Sequence, residues 1–434
     1  MARQFIASGY THVYDLKGGW RGWERAEYPY EEKPSELPAI VQGCVDCHTK
    51  VTPQVVSEWK RSKHSVNMVS CLMCHGVEHM SEKDVDKAVT VEPELCMMCH
   101  EAQGKQFSAG KHAMAWKAVQ GLPSAHWQPM AFLEGIKGCD SCHKIGFKSE
   151  EEIRELRKQG AGFGVASCDI CHTRHAFSVE EARQPKTCQV CHRGVDQPLW
   201  EIYSSSKHGI RESLKRQGTL PTDTPTPTCQ ACHMREGDHE VRTAWGYLGI
   251  RLPMPENEEW AAARRTILQA IGMLDPKGNP TERYGLIKEL DLARLTQKDW
   301  QKERDKMIKT CLQCHPSVFV NRLFENGDRM VMEADLLLAD AIRIVSALYR
   351  DNIVAKPWNY PYSFPDFFTI HDAPTPIEQK LYLMFLKYRM SAFQGAFHAN
   401  PDYGLYHGLL ELRYAHEQIR SMDEQLRSSR KKGR

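Results

Sequence analysis

The sequence predicts a mainly α fold, and two features of the chain carry that prediction. The short motif Cys-x-x-Cys-His occurs eight times, at intervals of 20 to 43 residues before a last gap of 82. Repeats this dense leave room only for short helices and irregular connections between them. The last quarter of the chain instead has long segments with apolar residues every three or four positions, which is typical of amphipathic helices.

The repeated motif uses all 16 cysteines of the 434-residue chain. Zinc binding would not demand a histidine after every second cysteine, and disulfides would not repeat one spacing eight times. The motif is instead typical of covalent haem c attachment, in which two thioethers tether the porphyrin and the next imidazole binds the iron. Eight haem c groups are therefore predicted. Their attachment residues are Cys44, Cys47, Cys71, Cys74, Cys96, Cys99, Cys139, Cys142, Cys168, Cys171, Cys188, Cys191, Cys229, Cys232, Cys311 and Cys314.

The histidine that ends each motif is predicted to be one axial iron ligand. These are His48, His75, His100, His143, His172, His192, His233 and His315. Twelve histidines remain, and eight of them are candidates for the opposite side of an iron. These are His64, His79, His112, His126, His175, His208, His371 and His398. A pure electron conduit would use eight such distal ligands and a catalyst seven, and the sequence does not say which candidate is surplus. His12 is expected to be structural and His416 to be solvated or packed on a helix face, whereas His407 is ambiguous.

The predicted haems also limit where the protein can be located and which partners it can have. Attachment of haem c takes place outside the cytoplasm, so we expect a periplasmic or otherwise extracytoplasmic protein, although the first twenty residues do not resemble a signal peptide. No run of eighteen apolar residues is present, so no transmembrane span is expected. The formal charge of +2 becomes about −6 when each ferric haem adds about one negative charge, so nucleic acid is not an expected partner.

Three regions are predicted along the chain. Residues 37–320 are expected to bind the haems, which supply most of the buried apolar surface there. Residues 321–434 contain long helices with more apolar surface than one haem can cover, so we expect them to pack together and against a neighbouring subunit. One of these helices is predicted to begin with Thr375 as its N-cap, Pro376 in the first turn and Glu378 completing a capping box.

Residues 1–36 form the remaining region. The stretch "GYTHVYDLKGGWRGWERAEYPYEE" resembles the C-terminal end of a rhodanese domain, and a linker is expected at residues 34–38. The alternative is a structured N-terminal extension. No cysteine lies in this region, so no sulfur transfer is expected from it.

The motif order, the long gap before the last motif and the helical C-terminal region together resemble the octahaem hydroxylamine oxidoreductase family. The likeness extends over about residues 40–425 and includes "KGCDSCH", "CQACHMREGDHEVRTAWG" and "FQGAFHANPDYGLYHG". It implies that the haem of the fourth motif is catalytic, with His143 on one side of its iron and the other side open. It also implies that Asp238 and His239 lie over that open side. An imidazole with a pKa of about 6.5 suits proton transfer, although His239 could alternatively be one more axial ligand.

The resemblance further implies a choice of reaction. Oxidative members share a tyrosine from an adjacent subunit that is cross-linked to the active haem, and here Tyr403 is the first candidate and Tyr406 the second. His407 stands where a further aromatic residue is expected, and Tyr403 could alternatively just pack at a helix start. The implied function is oxidation of hydroxylamine to nitric oxide or nitrite in a homotrimer. Seven haems would then relay electrons to a cytochrome or a quinone-linked protein.

Other reactions stay open from the sequence. They are hydrazine oxidation, reduction of nitrite or hydroxylamine to ammonia, and, more weakly, sulfite-type chemistry. A conduit without catalytic activity is the alternative of a different class.

Overall fold

The fold is helical wherever the chain is described, as predicted. The computed structural model describes residues 37–121, 142–158, 164–194, 197–244, 252–289, 295–358, 360–368 and 375–432. Within those ranges the only β-type pairing is an isolated bridge between Leu274 and Pro280. The stretch that resembles rhodanese lies outside them.

None of the helices in the described ranges combines the length and the apolar character needed to cross a bilayer.

The chain forms two compact units. The first comprises Met1–Ala109 and Lys144–Arg183, and the second comprises Gly110–His143 and Gln184–Arg434. The α-helices of the first unit are Ala39–Val51, Pro53–Arg61, Lys63–Val66, Cys71–His75, Pro93–Met97, Glu101–Ala109, Glu150–Lys158 and Val179–Ala182. Those of the second are Ala115–Gly121, Pro185–Gln189, Leu199–Ser205, Lys207–Arg216, Cys229–His233, Glu258–Ala270, Glu282–Glu289, Gln297–Cys311, Ser317–Arg350, Pro376–Leu383, Arg389–Phe397, Pro401–Tyr403 and Leu410–Lys432.

The predicted three-region division differs from these units. Its boundary at residue 320 falls inside the first turn of helix Ser317–Arg350. All described residues after that boundary lie in the second unit. The three-region division stays a prediction.

The second unit has a large apolar core around helix Ser317–Arg350. The buried residues of this helix recur every three or four positions, as the amphipathic pattern predicted, and include Val331, Ala334, Leu338, Ala341, Ile342, Val345 and Leu348. They pack with residues of helices Glu258–Ala270, Arg389–Phe397 and Leu410–Lys432. The expected packing of the long helices on one another is therefore present. Their packing against a neighbouring subunit stays a prediction.

A buried ion pair crosses this core. Asp335 is fully buried and its carboxylate accepts hydrogen bonds from Arg389 Nε at 2.9 Å and from Trp260 Nε1 at 2.8 Å. Arg264 adds a second guanidinium at 3.8 Å. A buried charge is tolerated only when it is paired and hydrogen-bonded. The pair therefore specifies how three helices meet.

Helix Ser317–Arg350 contains a glycine where helix Arg389–Phe397 packs against it. Here Gly327 lies in the helix interior, where an added Cβ would come within 2.7 Å of the Phe397 ring. The glycine allows the ring to pack closely against the helix.

The predicted capping box at Thr375 is only partly correct. Thr375 is the N-cap residue of helix Pro376–Leu383, but its side chain accepts no backbone hydrogen bond there. Its hydroxyl instead donates to the carboxylate of the buried Glu378, which also accepts a hydrogen bond from the Tyr349 hydroxyl. Burial and this carboxylate raise the pKa of Tyr349.

Two π-helical turns interrupt the C-terminal helices, at Met384–Tyr388 and Gly404–Leu409. The second turn packs against helix Arg389–Phe397 with almost no space between the backbones. A Cβ added at Gly395 would lie 2.5 Å from both the Cα and the N atom of Gly404. Turns of this type often occur at functional sites, and this one lies close to His398 and Tyr403.

We expect Gly395→Ala to lower the free energy of unfolding by about 1–3 kcal/mol, because the added methyl group meets backbone atoms that cannot rotate away. Thermal unfolding of the haem-loaded protein measures the change. Gly285→Ala is the matched control, since a Cβ at this helical position meets nothing within 4 Å. It should stabilise the helix by up to about 1 kcal/mol. Equal effects of the two substitutions would contradict the close packing.

Candidate haem sites and active centre

The described motifs lie within a helix or form the helical turn that continues or ends one. The backbone N–H of the motif histidine donates to the carbonyl of the first motif cysteine, four residues earlier, at 3.0 Å in His100, 2.9 Å in His192 and 3.0 Å in His315. Residues spaced by three and four positions share one face of a helix. Both cysteines and the histidine therefore point to the same side, where they could attach one haem.

Six motif histidines face a second histidine across a gap of constant width. The ring centres of His48 and His79 are 6.1 Å apart. The other five pairs are His100 with His64 at 6.1 Å, His75 with His175 at 6.2 Å, His192 with His112 at 6.0 Å, His315 with His208 at 5.9 Å, and His233 with His398 at 6.1 Å.

These gaps fit an iron between the rings. Two imidazoles whose ligating nitrogens each lie about 2 Å from one metal ion have ring centres about 6 Å apart. Burial lowers the pKa of His112 and His233 to about 4, so both imidazoles are neutral at pH 7, as iron ligation requires. The residues present therefore fit six haem groups with two histidine ligands each.

The alternatives to haem receive no support from the described residues. Among them, no three or more His, Cys, Asp or Glu side chains are grouped as a metal-ion site of the zinc type. The fifteen described cysteines form no disulfide.

The six pairs include six of the eight predicted distal ligands: His64, His79, His112, His175, His208 and His398. The other two, His126 and His371, lie outside the described residues, as does Cys139 of the fourth motif. His239 is not the partner in any of the six pairs. His416, expected to be solvated or packed on a helix face, is buried, and its Nε2 lies 2.7 Å from Asp340.

Two distal ligands share a local arrangement that the sequence displays but that we did not interpret. In "SKHS" and "SKHG", the serine is the N-cap of a short helix and the histidine is its second residue. Ser62 and Ser206 are both buried, and each accepts a hydrogen bond from the backbone N–H three residues later, at 3.1 Å and 3.2 Å. The serine cap fixes the helix start and thereby the direction of the histidine.

Carboxylates orient two further distal ligands. Asp84 Oδ1 lies 3.1 Å from His79 Nδ1 and also accepts the backbone N–H groups of Met80 and Ser81. These hydrogen bonds, with that of Ser81 the strongest contribution, lower the pKa of Asp84. Glu58 accepts the backbone N–H of His175 at 3.1 Å and so holds the peptide rather than the ring. A carboxylate on the ring nitrogen, as at His79, fixes an imidazole that binds a metal and increases its basicity.

The cysteines show which sites are neighbours in the first unit. Cys96 of the third motif and Cys168 of the fifth share a hydrogen bond that lowers the pKa of Cys96. Burial, followed by the charge of Cys96, raises the pKa of Cys74 in the second motif to about 11. Burial and then the charge of Cys44 in the first motif raise the pKa of Cys71. The first, second, third and fifth sites therefore form a continuous series.

The second unit contains a similar series. A hydrogen bond with Cys229 of the seventh motif lowers the pKa of Cys188 in the sixth. Burial, and then the charge of Cys311 in the eighth motif, raises the pKa of Cys232 to about 11. The sixth, seventh and eighth sites therefore follow one another.

The predicted active centre also lies in the second unit, and the short segment 111–115 connects its parts. The Ala115 carbonyl lies 2.9 Å from His143 Nδ1. At the other end of the segment, the Lys111 N–H donates to the Val241 carbonyl at 3.0 Å, two residues beyond His239. His112, between them, is the distal ligand of the sixth site. The predicted proximal ligand and the predicted acid–base pair are thus attached to the same five residues.

The hydrogen bonds around His239 differ from the expected carboxylate–imidazole contact. Its Nδ1 lies 2.7 Å from the Gly237 carbonyl. A carbonyl can only accept, so Nδ1 carries the hydrogen and the ring's lone pair is on Nε2. Asp238 is exposed and its Oδ1 accepts the Glu240 N–H at 2.9 Å. This carboxylate therefore shapes the turn that carries His239.

The two candidate tyrosines have different surroundings. Tyr403 is half-buried, and its ring centre lies 4.5 Å from that of His407 in the same chain. Burial, with a smaller effect of the Glu201 charge, raises the pKa of Tyr403. The side chain of Tyr406 is 61% exposed.

Comparison with known proteins identifies the family. Residues 41–265 and 281–359 match the family described as "Seven times multi-haem cytochrome CxxCH". The chain belongs to this multi-haem cytochrome family. The family description counts seven motifs, so the full complement of eight haems in this multihaem cytochrome stays a prediction.

Relatives of the multihaem cytochrome confirm the predicted relationship to hydroxylamine oxidoreductase-like proteins. A probable nitrite reductase-hydroxylamine oxidoreductase fusion protein of Kuenenia stuttgartiensis is 26% identical over an alignment 380 positions long, which covers 74% of this chain and 39% of the relative. The chain thus spans about two fifths of that relative's length.

Two solved structures are similar in fold. The first belongs to the reducing HAO-like protein complex of Kuenenia stuttgartiensis, with a TM-score of 0.66, 22% identity and coverage of 91% of this chain and 88% of that one. A hypothetical multiheme protein gives a TM-score of 0.63 at 19% identity, covering 92% and 98% of the two chains. At these identities the likeness concerns the fold alone.

We expect Asp84→Asn to raise the reduction potential of one haem of the multihaem cytochrome, because removing the negative charge beside His79 destabilises the ferric state. A tenfold change in the ratio of ferric to ferrous stability corresponds to about 60 mV, and we expect a shift of this order. A spectroscopic redox titration of the loaded protein measures it.

Asp86→Asn is the control for Asp84→Asn, since it removes an equal charge from an exposed residue two positions away. Equal shifts in the two variants would show that net charge alone causes the effect.

Proposed function

We propose that this multihaem cytochrome oxidises hydroxylamine, to nitric oxide or nitrite, at the haem of the fourth motif. The observation that carries the proposal is the shared attachment of His143 and the Asp238–His239 turn to segment 111–115. The six sites with two histidines suit electron relay, because both axial positions are taken by protein and small molecules are kept away from the iron.

The residues around the fourth site would act on protons. When bound, the haem supplies an iron that can take the substrate nitrogen and accept its electrons. Oxidation of hydroxylamine to nitric oxide releases three protons with three electrons, so a base is needed nearby. His239 can accept a proton at Nε2 while Gly237 holds Nδ1–H, and Asp238 keeps the turn in place.

Segment 111–115 would also provide a path for electrons from the fourth site to the sixth. One hydrogen bond joins His143 to the Ala115 carbonyl, and three residues earlier His112 belongs to the sixth site. From the sixth site the neighbouring cysteines continue to the seventh and eighth. An extracytoplasmic location, a cytochrome or quinone-linked acceptor and a homotrimer complete the proposal.

Reduction of nitrite or hydroxylamine to ammonia is the second candidate, and two observations favour it. Relatives include a probable nitrite reductase-hydroxylamine oxidoreductase fusion protein and a reducing HAO-like complex. In addition, Tyr403 packs against His407 of its own chain, whereas the oxidative reaction calls for a tyrosine that reaches the haem of another subunit. The exposure of Tyr406 makes it the better candidate for such a bond.

We expect His239→Gln to lower kcat for hydroxylamine oxidation by about 10²–10⁴, because the general base is lost. Cyanide should still bind the ferric protein, since the open iron is unchanged. Glu236→Gln in the same exposed loop is the control and should keep normal activity. A wild-type protein that binds neither cyanide nor nitric oxide, and shows no high-spin haem, would instead be a conduit.

The direction of the reaction can be read from a denaturing gel stained for haem, beside a reduced absorption spectrum. Oxidative function predicts a covalent oligomer and a red-shifted band, and Tyr406→Phe should abolish both while Tyr403→Phe leaves them intact. The opposite pattern would restore Tyr403 as the cross-linking residue. Absence of both features in the wild type would favour reduction.

A further inference from the structure

Asn400 is a buried amide that no step of the proposed reaction uses. Its side chain is 9% exposed, and all of its hydrogen-bonding groups have partners. Nδ2 donates to the Ile202 carbonyl at 2.8 Å and to Ser205 Oγ at 2.9 Å, across almost two hundred residues of sequence. Oδ1 accepts the Tyr403 N–H at 3.2 Å and so caps the next helix.

These bonds join the surroundings of two distal ligands. His398, two residues before Asn400, faces His233 of the seventh motif. On the other side, Ser205 ends helix Leu199–Ser205, and the next residue, Ser206, is the N-cap of the helix that carries His208. His208 faces His315 of the eighth motif. One amide therefore links the peptide segments of both ligands.

The backbone beside Asn400 shows that the turn is tightly held. Ala399 has φ at 54°, in the left-handed region that residues with a Cβ rarely adopt. Such a conformation persists only when its surroundings fix it. The Asn400 N–H donates to the Gly395 carbonyl at 3.3 Å, and the side-chain bonds to Ile202 and Ser205 add the remaining restraint.

We propose that Asn400 is a positioning residue that fixes the distal ligands of the seventh and eighth sites relative to each other. A loosened Asn400 would let the imidazoles of His398 and His208 turn about their iron bonds. The angle between the two imidazole planes at an iron would then change at these two sites and at no others. The inference rests on the histidine pairs and not on the nitrogen substrate, so it survives if the proposed reaction is wrong.

The test uses electron paramagnetic resonance of the fully oxidised, haem-loaded protein, because the low-spin signal of each ferric haem depends on the angle between its two imidazoles. His398→Met and His208→Met first identify which two signals belong to the seventh and eighth sites. Asn400→Asp keeps the shape of the side chain but replaces its donor group by a charged acceptor. We expect both assigned signals to shift and the others to stay in place.

Two further variants keep the test decisive. Ser205→Ala removes a single partner of Asn400 and should shift the same two signals by less, even if Asn400→Asp fails to load with haem. Asn326→Ala is the control, since this exposed amide lies on helix Ser317–Arg350 and accepts a hydrogen bond from Arg329 of the same helix. Unchanged signals in a fully loaded variant, a shift of one signal alone, or equal shifts of all signals would overturn the proposal.

Discussion

The gap of about 6 Å between paired imidazole rings is the constraint on which the rest of the molecule depends. Six pairs keep this gap although their histidines come from different local structures. Some are held by a serine cap, one by a carboxylate and one by the end of a helix. Because an iron–nitrogen bond tolerates little variation in length, the chain must fix each ring from outside the site. Much of the polar structure, from Asp84 to Asn400, serves that purpose.

The two units differ in how many apolar side chains they bury to hold the histidines in place. In the described part of the first unit, one small apolar cluster has five buried residues, Val41, Val45, Val56, Trp59 and Leu72, and others such as Ile153 and Val165 are buried outside it. Several large apolar side chains of that unit are exposed, among them Val51 at 64% and Met80 at 55%. Burial of apolar surface is the main favourable contribution to folding. We infer that haem surface provides in the first unit what helices Ser317–Arg350 and Leu410–Lys432 provide in the second.

The sequence predicted the local part of the sites and missed the long-range part. A helical turn brings the two cysteines and the histidine of a motif together without help from elsewhere, so the pattern alone was sufficient. The candidate distal histidines His64 and His208 each follow a serine cap that acts within three residues, a local signal that the sequence contains although we did not interpret it. Contacts such as Asn400 with Ile202, or Asp335 with Arg389, join distant parts of the chain, and no periodicity indicates them.

In the second unit, packing of the C-terminal helices fixes residues of the candidate haem sites. Helix Arg389–Phe397 packs on the π-helical turn Gly404–Leu409 at backbone contact, and His398 is the residue that follows this helix. The position of that candidate distal ligand is therefore set by packing in the apolar core of the second unit. Asn400 extends the same restraint to the helix before His208. A π-helical turn exposes or tilts side chains that a regular helix would direct elsewhere. The turn Gly404–Leu409 directly follows Tyr403, which packs within its own chain, and it contains the exposed Tyr406. The backbone packing that fixes the seventh site therefore also determines which of the two tyrosines can reach another chain.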